Sequence, residues 1–537
     1  MAAWDWAVVL VYLVGMLGLS AWLGRSQREA RDYYLGGYRT GPLPIALSTM
    51  ATQCSTNSLL GAPAFVAFTG GLLWLQYELA VPLAMIVLMA VILPVFRRLR
   101  LISVYAYLEK RFGVTTRVAM SVLFQFTRAF STGVTVFGIA LVLQFFLGVP
   151  FWVAVILLGV FTVIYDVLGG IRAVIWSDVV QLAVLFGAIW LGIALAIDAV
   201  GGLSTVFQTV DPSTLRAVDF SAWGWGEGET FGFWPMLFGG LFLYVAYYGV
   251  DQTQIQRELS SRSVDDGRRS LFYGGLLRFP LVLSYCFLGV CLAAFLVLEP
   301  GFIEQLVRPT AEGETVRDLN LLVPVFAQNH FPVGLLGLLV AGLLAAAMSS
   351  LDSTINSLSA LTMQDLVGRF GRTPLSARAE FWLAKGLTVF WGAVCLSFAF
   401  VVDGVAPTVI ESVNKIGSLI NGPLLAVFVL GLLTKRANEG GVLLGLATGF
   451  LLNLALWQFV PALSWLWWNV TGFVAAAAVG LLASQVFSAP HPEALEGTQT
   501  TVGPGALGPI RRRGIILTAY FVVILLVLVG LSVWAGH

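Results

Sequence analysis

The sequence predicts an all-α membrane protein of about fourteen transmembrane helices, and three observations carry that prediction. Of its 537 residues, 58% are hydrophobic and only 11% charged, with a mean hydropathy of +0.87. Soluble domains carry about 25% charged residues, so lipid must solvate most of this chain. Runs long enough to span a bilayer, about 20 residues each, begin near Ala3, Leu43, Leu73, Val118, Phe151, Val174 and Phe233, and again near Ser270, Pro332, Glu380, Val405, Gly441, Ser464 and Gly514. Finally, basic residues gather in every second loop.

The loops fix the expected orientation. Arg25, Arg28, Arg31 and Arg39 follow the first run, and Arg97, Arg98, Arg100, Lys110, Arg111 and Arg117 follow the third. Arg172 follows the fifth, Arg257, Arg262, Arg268 and Arg269 the seventh, and Arg369, Arg372 and Arg378 the ninth. Lys435 and Arg436 follow the eleventh, and Arg511 to Arg513 the thirteenth. The intervening loops are nearly uncharged or acidic. By the positive-inside rule the odd-numbered loops are cytoplasmic and both termini lie outside. The loops at 201–231 and 300–331 are too short to be domains, and Ser488 to Gly508 reads as a linker.

Several function classes fall away. The net charge of +1 points to no nucleic-acid partner. The four cysteines all lie in apolar runs, which argues against a disulfide framework. Ala2 to Leu23 lacks a basic leader and a small-residue cleavage site, so it reads as a retained helix. There is no phosphate-binding glycine loop and no metal-spaced His/Cys cluster, which argues against ATP-driven transport by this chain.

Taken in order, the spanning runs carry polar residues that lipid would penalise. In the second, Ser48 to Ser58 places eight polar side chains in eleven positions before Gly61 and Pro63. That density suggests a helix interrupted at mid-membrane, where freed carbonyls bind cations. The alternative is a helix whose hydroxyls bond its own backbone. The third run carries Tyr77 and Glu78, the fourth Arg128, the eighth Arg278 and the eleventh Asn414 and Lys415, while Asp178 begins the sixth. Each of these is either part of a wet central site or a buried structural pair, such as Arg128 with Glu78 or Asp178. A charge at the centre of a spanning helix costs about 2.5–3.5 kcal/mol, and so many together favour the wet site. The seventh run repeats the interruption signal with Tyr244, Tyr247, Tyr248, Gly249 and Asp251 to Gln254. Paired interrupted helices are the pointer to an inverted-repeat transporter.

The ninth run holds the most informative stretch. Ala346, Ser349, Ser350, Asp352, Ser353 and Asn356 follow i, i+3, i+4 spacing and share one helix face. A stripe of hydroxyls and carboxylate within an apolar helix demands an occupant, and we read that occupant as a sodium ion.

With these residues in place, the chain resembles the sodium:solute symporter family, the relatives of the sodium-glucose cotransporters. The resemblance spans about Asp32 to Gly445. It rests on Asp32-Tyr33-Tyr34-Leu35-Gly36-Gly37, Gly169 to Asp178, Asp251 to Arg257, Met348 to Asp365, and Gly422 to Asn438. It implies a LeuT-type core of two inverted five-helix repeats, here 43–231 and 232–437. Segment 1–42 then holds the first helix and its loop, and 438–537 holds three peripheral helices. It also implies a main Na+ site from the carbonyls of Ala51, Cys54 and Ala346 and the hydroxyls of Ser349 and Ser350. Neutral oxygens would bind Na+ weakly enough for release. The sialic-acid carriers of the family hold a second sodium, and the matching positions are Asp178, Ser349, Asp352 and Ser353. This chain departs by placing Asp352 where those relatives carry a hydroxyl. Two carboxylates either strengthen that site, or one is protonated because like charges disfavour joint ionisation.

For the solute, the resemblance implicates Gln53, Ser55, Tyr77, Glu78, Tyr248, Arg278 and Asn414, which suit hydroxyl-rich ligands. It also implicates Arg128, whose fork fits a carboxylate. The chain looks nearer the sialic-acid and monocarboxylate branches than the glucose carriers. The expected function is therefore a sodium-coupled symporter, not an enzyme, that imports a small organic anion across the cell membrane by alternating access. A sodium-coupled sugar or polyol symporter is the alternative. A solute sensor or channel on the same core is the reading from another class. A sensor would need an attached signalling domain, and the chain ends at His537 just past the last helix.

Overall fold

The computed structural model describes residues 1–25, 27–54, 56–309, 315–371, 375–401, 409–500 and 508–535. Four positions named above, Ser55, Arg372, the start near Val405 and His537, lie outside the described residues. Among those described, eleven helices are long and apolar enough to cross a membrane. The β-strands there form one antiparallel pair, Val307–Pro309 against Thr315–Arg317.

Burial sorts the helices into a core and a lipid-facing rim. The most apolar window of Leu335–Phe370 is 83% buried, whereas those of Ala3–Gly24 and Ala377–Ala399 are each 22% buried. The serine-rich helix Leu335–Leu361 is therefore the inner post of the molecule. It packs along Phe151–Val200, Val114–Leu147 and the short helix Pro42–Gln53. Large apolar side chains such as Val11, Phe459 and Leu526 are left outward on rim helices, where lipid can cover them.

Asp5 anchors the inner post. Its Oδ1 accepts from the backbone N–H groups of Gly334 at 2.7 Å and Gly337 at 3.0 Å, at the start of Leu335–Leu361. A carboxylate there satisfies otherwise orphan amides and complements the helix dipole. At the other side, Glu439–Phe459 and Trp468–Ala483 approach so closely that a Cβ on Gly445 would stand 2.3 Å from the Ala476 carbonyl oxygen. Small residues at a membrane helix interface permit that approach.

Two breaks shape the centre. The helix Pro42–Gln53 ends at Cys54, which turns to ψ 70°, and a new helix runs Thr56–Phe65. The interruption falls within the polar run, and Pro63 lies inside the second helix. The run Phe151–Val200 breaks at Gly170, where φ is +53° and ψ −163°, a region open essentially to glycine alone. A Cβ there would also stand 2.7 Å from the Tyr33 carbonyl oxygen. Gly170→Ala is expected to cost about 1–3 kcal/mol, read as a lowered melting midpoint of the detergent-solubilised protein. An unchanged midpoint would refute this account of the break.

Three of the basic residues assigned above to cytoplasmic loops turn inward instead. Arg257 lies in the helix Gln252–Leu259 and is wholly buried. Arg111 is 1% exposed and donates to the carbonyls of Gly431 at 3.1 Å and Thr434 at 2.8 Å, capping the end of Val409–Leu433. Arg117 pairs with Asp365 and with Glu109. Linear charge counting cannot tell a loop charge from an arginine whose fork is satisfied inside.

Candidate functional site

The break after Gln53 faces the serine stripe, and the two supply a cluster of neutral oxygens. The Ser349 hydroxyl donates to the carbonyls of Ala51 at 3.3 Å and Ala346 at 3.2 Å. The Ser350 hydroxyl donates to the carbonyls of Thr52 at 3.2 Å and Ala346 at 3.3 Å. Four of the five main-site residues named from the sequence are thus joined directly. Cys54 sits at the break itself, fully buried. Thr52, absent from the expected set, contributes a carbonyl and also a hydroxyl that meets the Ser349 carbonyl at 3.4 Å.

These oxygens suit a small cation. Na+ is close in size to Ca2+, which takes oxygens at about 2.3–2.6 Å, so oxygens at right angles around it stand about 3.3–3.7 Å apart. The hydroxyl–carbonyl separations of 3.2–3.3 Å lie at or just below that range.

Immediately beside this cluster lies a charged centre. Asp178 Oδ2 accepts from Ser48 Oγ at 2.6 Å and Arg257 Nη2 at 2.9 Å, and Thr52 Oγ1 stands 3.5 Å away. Asp352 accepts from the Tyr165 hydroxyl and, at 3.0 Å, from Ser353 Oγ, which also donates to the Ser349 carbonyl at 2.6 Å. Arg257 donates as well to Thr52, Ser353 and the Thr253 carbonyl. The four residues named for a second cation, Asp178, Ser349, Asp352 and Ser353, are therefore neighbours, with a guanidinium among them. Sequence reading missed Arg257 and Tyr165. The Asp178 end differs from expectation too, since this residue lies inside the helix after the Gly170 break and does not begin it.

A cavity of about 220 Å³ opens on the other side of the broken helix. Gln53, Tyr77, Glu78, Arg128, Arg278 and Asn414 line it, six of the eight solute residues named from the sequence. Tyr248 stands behind, its hydroxyl bonded to Gln53 Oε1. The expected structural pairs of Arg128 with Glu78 or Asp178 do not form. Glu78 pairs with Arg278 at 3.1 Å and accepts from Tyr244 at 2.9 Å. Arg128 faces Asp251 at 3.4 Å, donates to Thr253 Oγ1 at 3.1 Å and lies over the Tyr247 ring. Two buried donors on this wall have no protein partner: Arg128 Nε and Arg278 Nη1. Unpaired buried donors are costly, and a polar solute would satisfy them. Thr52 and Ser350 also line the cavity, so the cavity and the cluster of neutral oxygens share a wall.

Comparison with known proteins identifies the family. The model of the sodium:solute symporter family matches residues 33–449. The human sodium-coupled monocarboxylate transporter 1 is 30% identical over 460 residues, covering 84% of this chain and 72% of that protein. The human sodium/iodide cotransporter is 29% identical, covering 86% and 70%. The rabbit (Oryctolagus cuniculus) sodium-dependent multivitamin transporter is 30% identical, covering 84% and 70%. Among solved structures, a Na+-coupled sialic acid symporter in its substrate-bound outward-open state superposes with a TM-score of 0.80 at 25% identity, covering 91% of this chain and 99% of that one. This chain therefore belongs to the sodium:solute symporter family, as a multi-pass transporter of the cell membrane coupled to Na+ and not an enzyme.

Proposed function

We propose that this protein imports a small organic carboxylate together with Na+ by alternating access. The observation that carries the proposal is the shared wall: Ser350 and Thr52 belong to the cation cluster and also line the cavity that holds Arg128. An ion and a solute that stabilise the same wall favour the same conformational state, which is the thermodynamic basis of coupling. In this reading Ala51, Cys54, Ala346, Ser349 and Ser350 hold sodium, with the Thr52 carbonyl added. The unpartnered Nε of Arg128 gives a carboxylate its first contact. Gln53, Ser55, Tyr77, Glu78, Tyr248, Arg278 and Asn414 shape and orient the rest. Glu78 and Arg278 neutralise each other, as do Asp251 and Arg128, so an anion entering beside Na+ leaves the site near neutrality. That the relatives named above include a monocarboxylate transporter and a sialic acid symporter supports the substrate class.

The proposed topology has fourteen crossings, both termini outside, and inverted repeats over 43–231 and 232–437. A straight helix the length of Phe151–Val200, 50 residues, would extend about 75 Å, far beyond a hydrocarbon core of about 30 Å. The Gly170 break divides it into two crossings. Likewise Ser58–Arg98, 41 residues, turns at Gly71 with φ +54°.

One observation favours the sugar or polyol alternative: Tyr77, Glu78 and Asn414 line the same cavity, and a hydroxyl, a carboxylate and an amide suit a hydroxyl-rich solute. Uptake into proteoliposomes under an inward sodium gradient separates the two readings, using lactate, sialic acid, glucose and a polyol as solutes. Carboxylate uptake is expected, and Arg128→Gln is expected to reduce it at least tenfold at low solute concentration. Sodium-driven uptake of neutral sugar alone would establish the alternative. Indifference of every solute to sodium would end both.

A further inference from the structure

Apart from the transport reaction, we propose that segment 219–238 is a membrane-interface anchor whose tryptophans seat at the ester-carbonyl level of the phospholipids around that end of the molecule. Six large rings form one ladder there. Phe220 and Trp223 each meet Trp234, with centroids 6.3 and 4.8 Å apart. Trp234 lies parallel to Phe238 at 6.3 Å, Phe238 to Trp467 at 6.4 Å, and Trp467 to Trp225 at 6.1 Å. Phe220, Trp223, Trp225 and Phe238 are each 43–66% exposed. Contiguous exposed rings of this kind mark an interaction surface.

The ladder is held rigid from behind. Glu229 Oε2 gathers three successive backbone N–H groups, of Trp223 at 3.1 Å, Gly224 at 3.0 Å and Trp225 at 3.3 Å. Ser464 ties the segment to the turn before Trp468–Ala483: its N–H donates to the Gly224 carbonyl and its hydroxyl to the Thr230 carbonyl, both at 2.8 Å. The indole of Trp234 donates to the Phe220 carbonyl at 3.0 Å, and that of Trp467 to the Trp223 carbonyl at 2.8 Å. The indoles of Trp223 and Trp225 meet no acceptor among the described residues. Two exposed rings are thus fixed in place with their donors unspent.

The surroundings identify the partner as lipid. Phe238 begins a stripe that continues into the apolar helices, where Phe242 meets Phe473 at 4.8 Å. Phe459, which ends the helix leading to the same turn, is 80% exposed on the lipid-facing rim. The charged residues of the segment are Asp219, Glu227 and Glu229, so it carries no cation to attract a phosphate. Spare indole donors on an apolar ring suit the uncharged ester carbonyls, the zone where tryptophan concentrates in membrane proteins. The anchor fixes the depth at which Gly240–Gly249 starts, and this helix brings Tyr244 and Tyr247 to the cavity.

The test places a fluorophore on the ladder in the full-length protein. The four native cysteines are buried, so Trp223→Cys and Trp225→Cys can each be labelled with NBD, the similarly treated wild type giving the background. Each is put into phosphatidylcholine nanodiscs carrying a doxyl quencher either near the ester or deep in the acyl chain. The shallow quencher is expected to act about twofold more strongly than the deep one, and iodide in the buffer about fivefold less than on free NBD-cysteine. Full iodide quenching with no response to either lipid would make the segment an aqueous loop. Protection from iodide without doxyl quenching would place a second copy of the chain over the rings. Stronger quenching by the deep position would sink them into hydrocarbon. Each of these three results overturns the proposal, and none bears on sodium coupling, which the uptake assay reads separately. Both positions are exposed, and either labelled variant alone suffices for the comparison.

Discussion

Ser349→Ala is expected to raise the sodium concentration for half-maximal stabilisation about 5–150-fold. Its hydroxyl is wholly buried and reaches carbonyls on both sides of the cluster, Ala51 on the broken helix and Ala346 on the inner post. An ion held by neutral oxygens has no carboxylate to compensate for a lost ligand. Leaving a buried polar group without its partner costs about 1–3 kcal/mol, or about 5–150-fold in an equilibrium constant. Ser350→Ala is expected to shift sodium dependence in the same direction by less, because Ser350 borders the cavity and water can enter in its place. Melting midpoints across a sodium titration, with choline holding ionic strength constant, measure both. An unchanged titration for Ser349→Ala would remove that residue from the site.

Glu78→Gln is expected to have the largest effect on stability, a loss of about 3–5 kcal/mol. The Glu78–Arg278 pair is buried, with 1% and 5% side-chain exposure. The amide keeps the shape of the carboxylate but strands the guanidinium, whose Nη1 already lacks a partner. Removing both charges, in Glu78→Gln with Arg278→Met, is expected to restore most of the melting midpoint, because no lone charge remains buried. Solute uptake should stay impaired in the double variant, since Glu78 and Arg278 both line the cavity. Recovery of stability without uptake would mark the pair as part of the solute site; a Glu78→Gln protein that melts like the wild type would show that the pair is not under this constraint.

The central site was legible to the extent that lipid makes polarity costly. Ser349, Ser350 and Asp352 stood out because hydroxyls and a carboxylate sharing one face of an apolar helix need a reason to be there. The interruption at Cys54 was announced by the polar run from Ser48 to Ser58, although the Gly61 and Pro63 signal pointed further along than the break itself. Glu78, Arg128 and Arg278 were each recognisable as functional candidates, yet their partners were not. Sequence offered Arg128 to Glu78 or Asp178, while the fold gives it Asp251 and assigns Glu78 to Arg278 and Asp178 to Arg257.

Arg257 shows where one-dimensional reading stops. It stands with Arg262, Arg268 and Arg269 in the sequence, and by linear position all four are cytoplasmic loop charges. Only the packing of Gln252–Leu259 against Pro42–Gln53 and Leu335–Leu361 turns Arg257 inward while Arg262 remains largely exposed. The amino-acid sequence by itself determined that this chain is an all-helical membrane protein with a polar serine stripe on an apolar helix, because those conclusions follow from the local cost of placing each residue in lipid. Which arginine meets which carboxylate, and that one of them lies among the residues named for a second sodium, only the tertiary structure decided. Pairing depends on the three-dimensional approach of helices far apart in the chain, and local transfer energies carry no information about that approach.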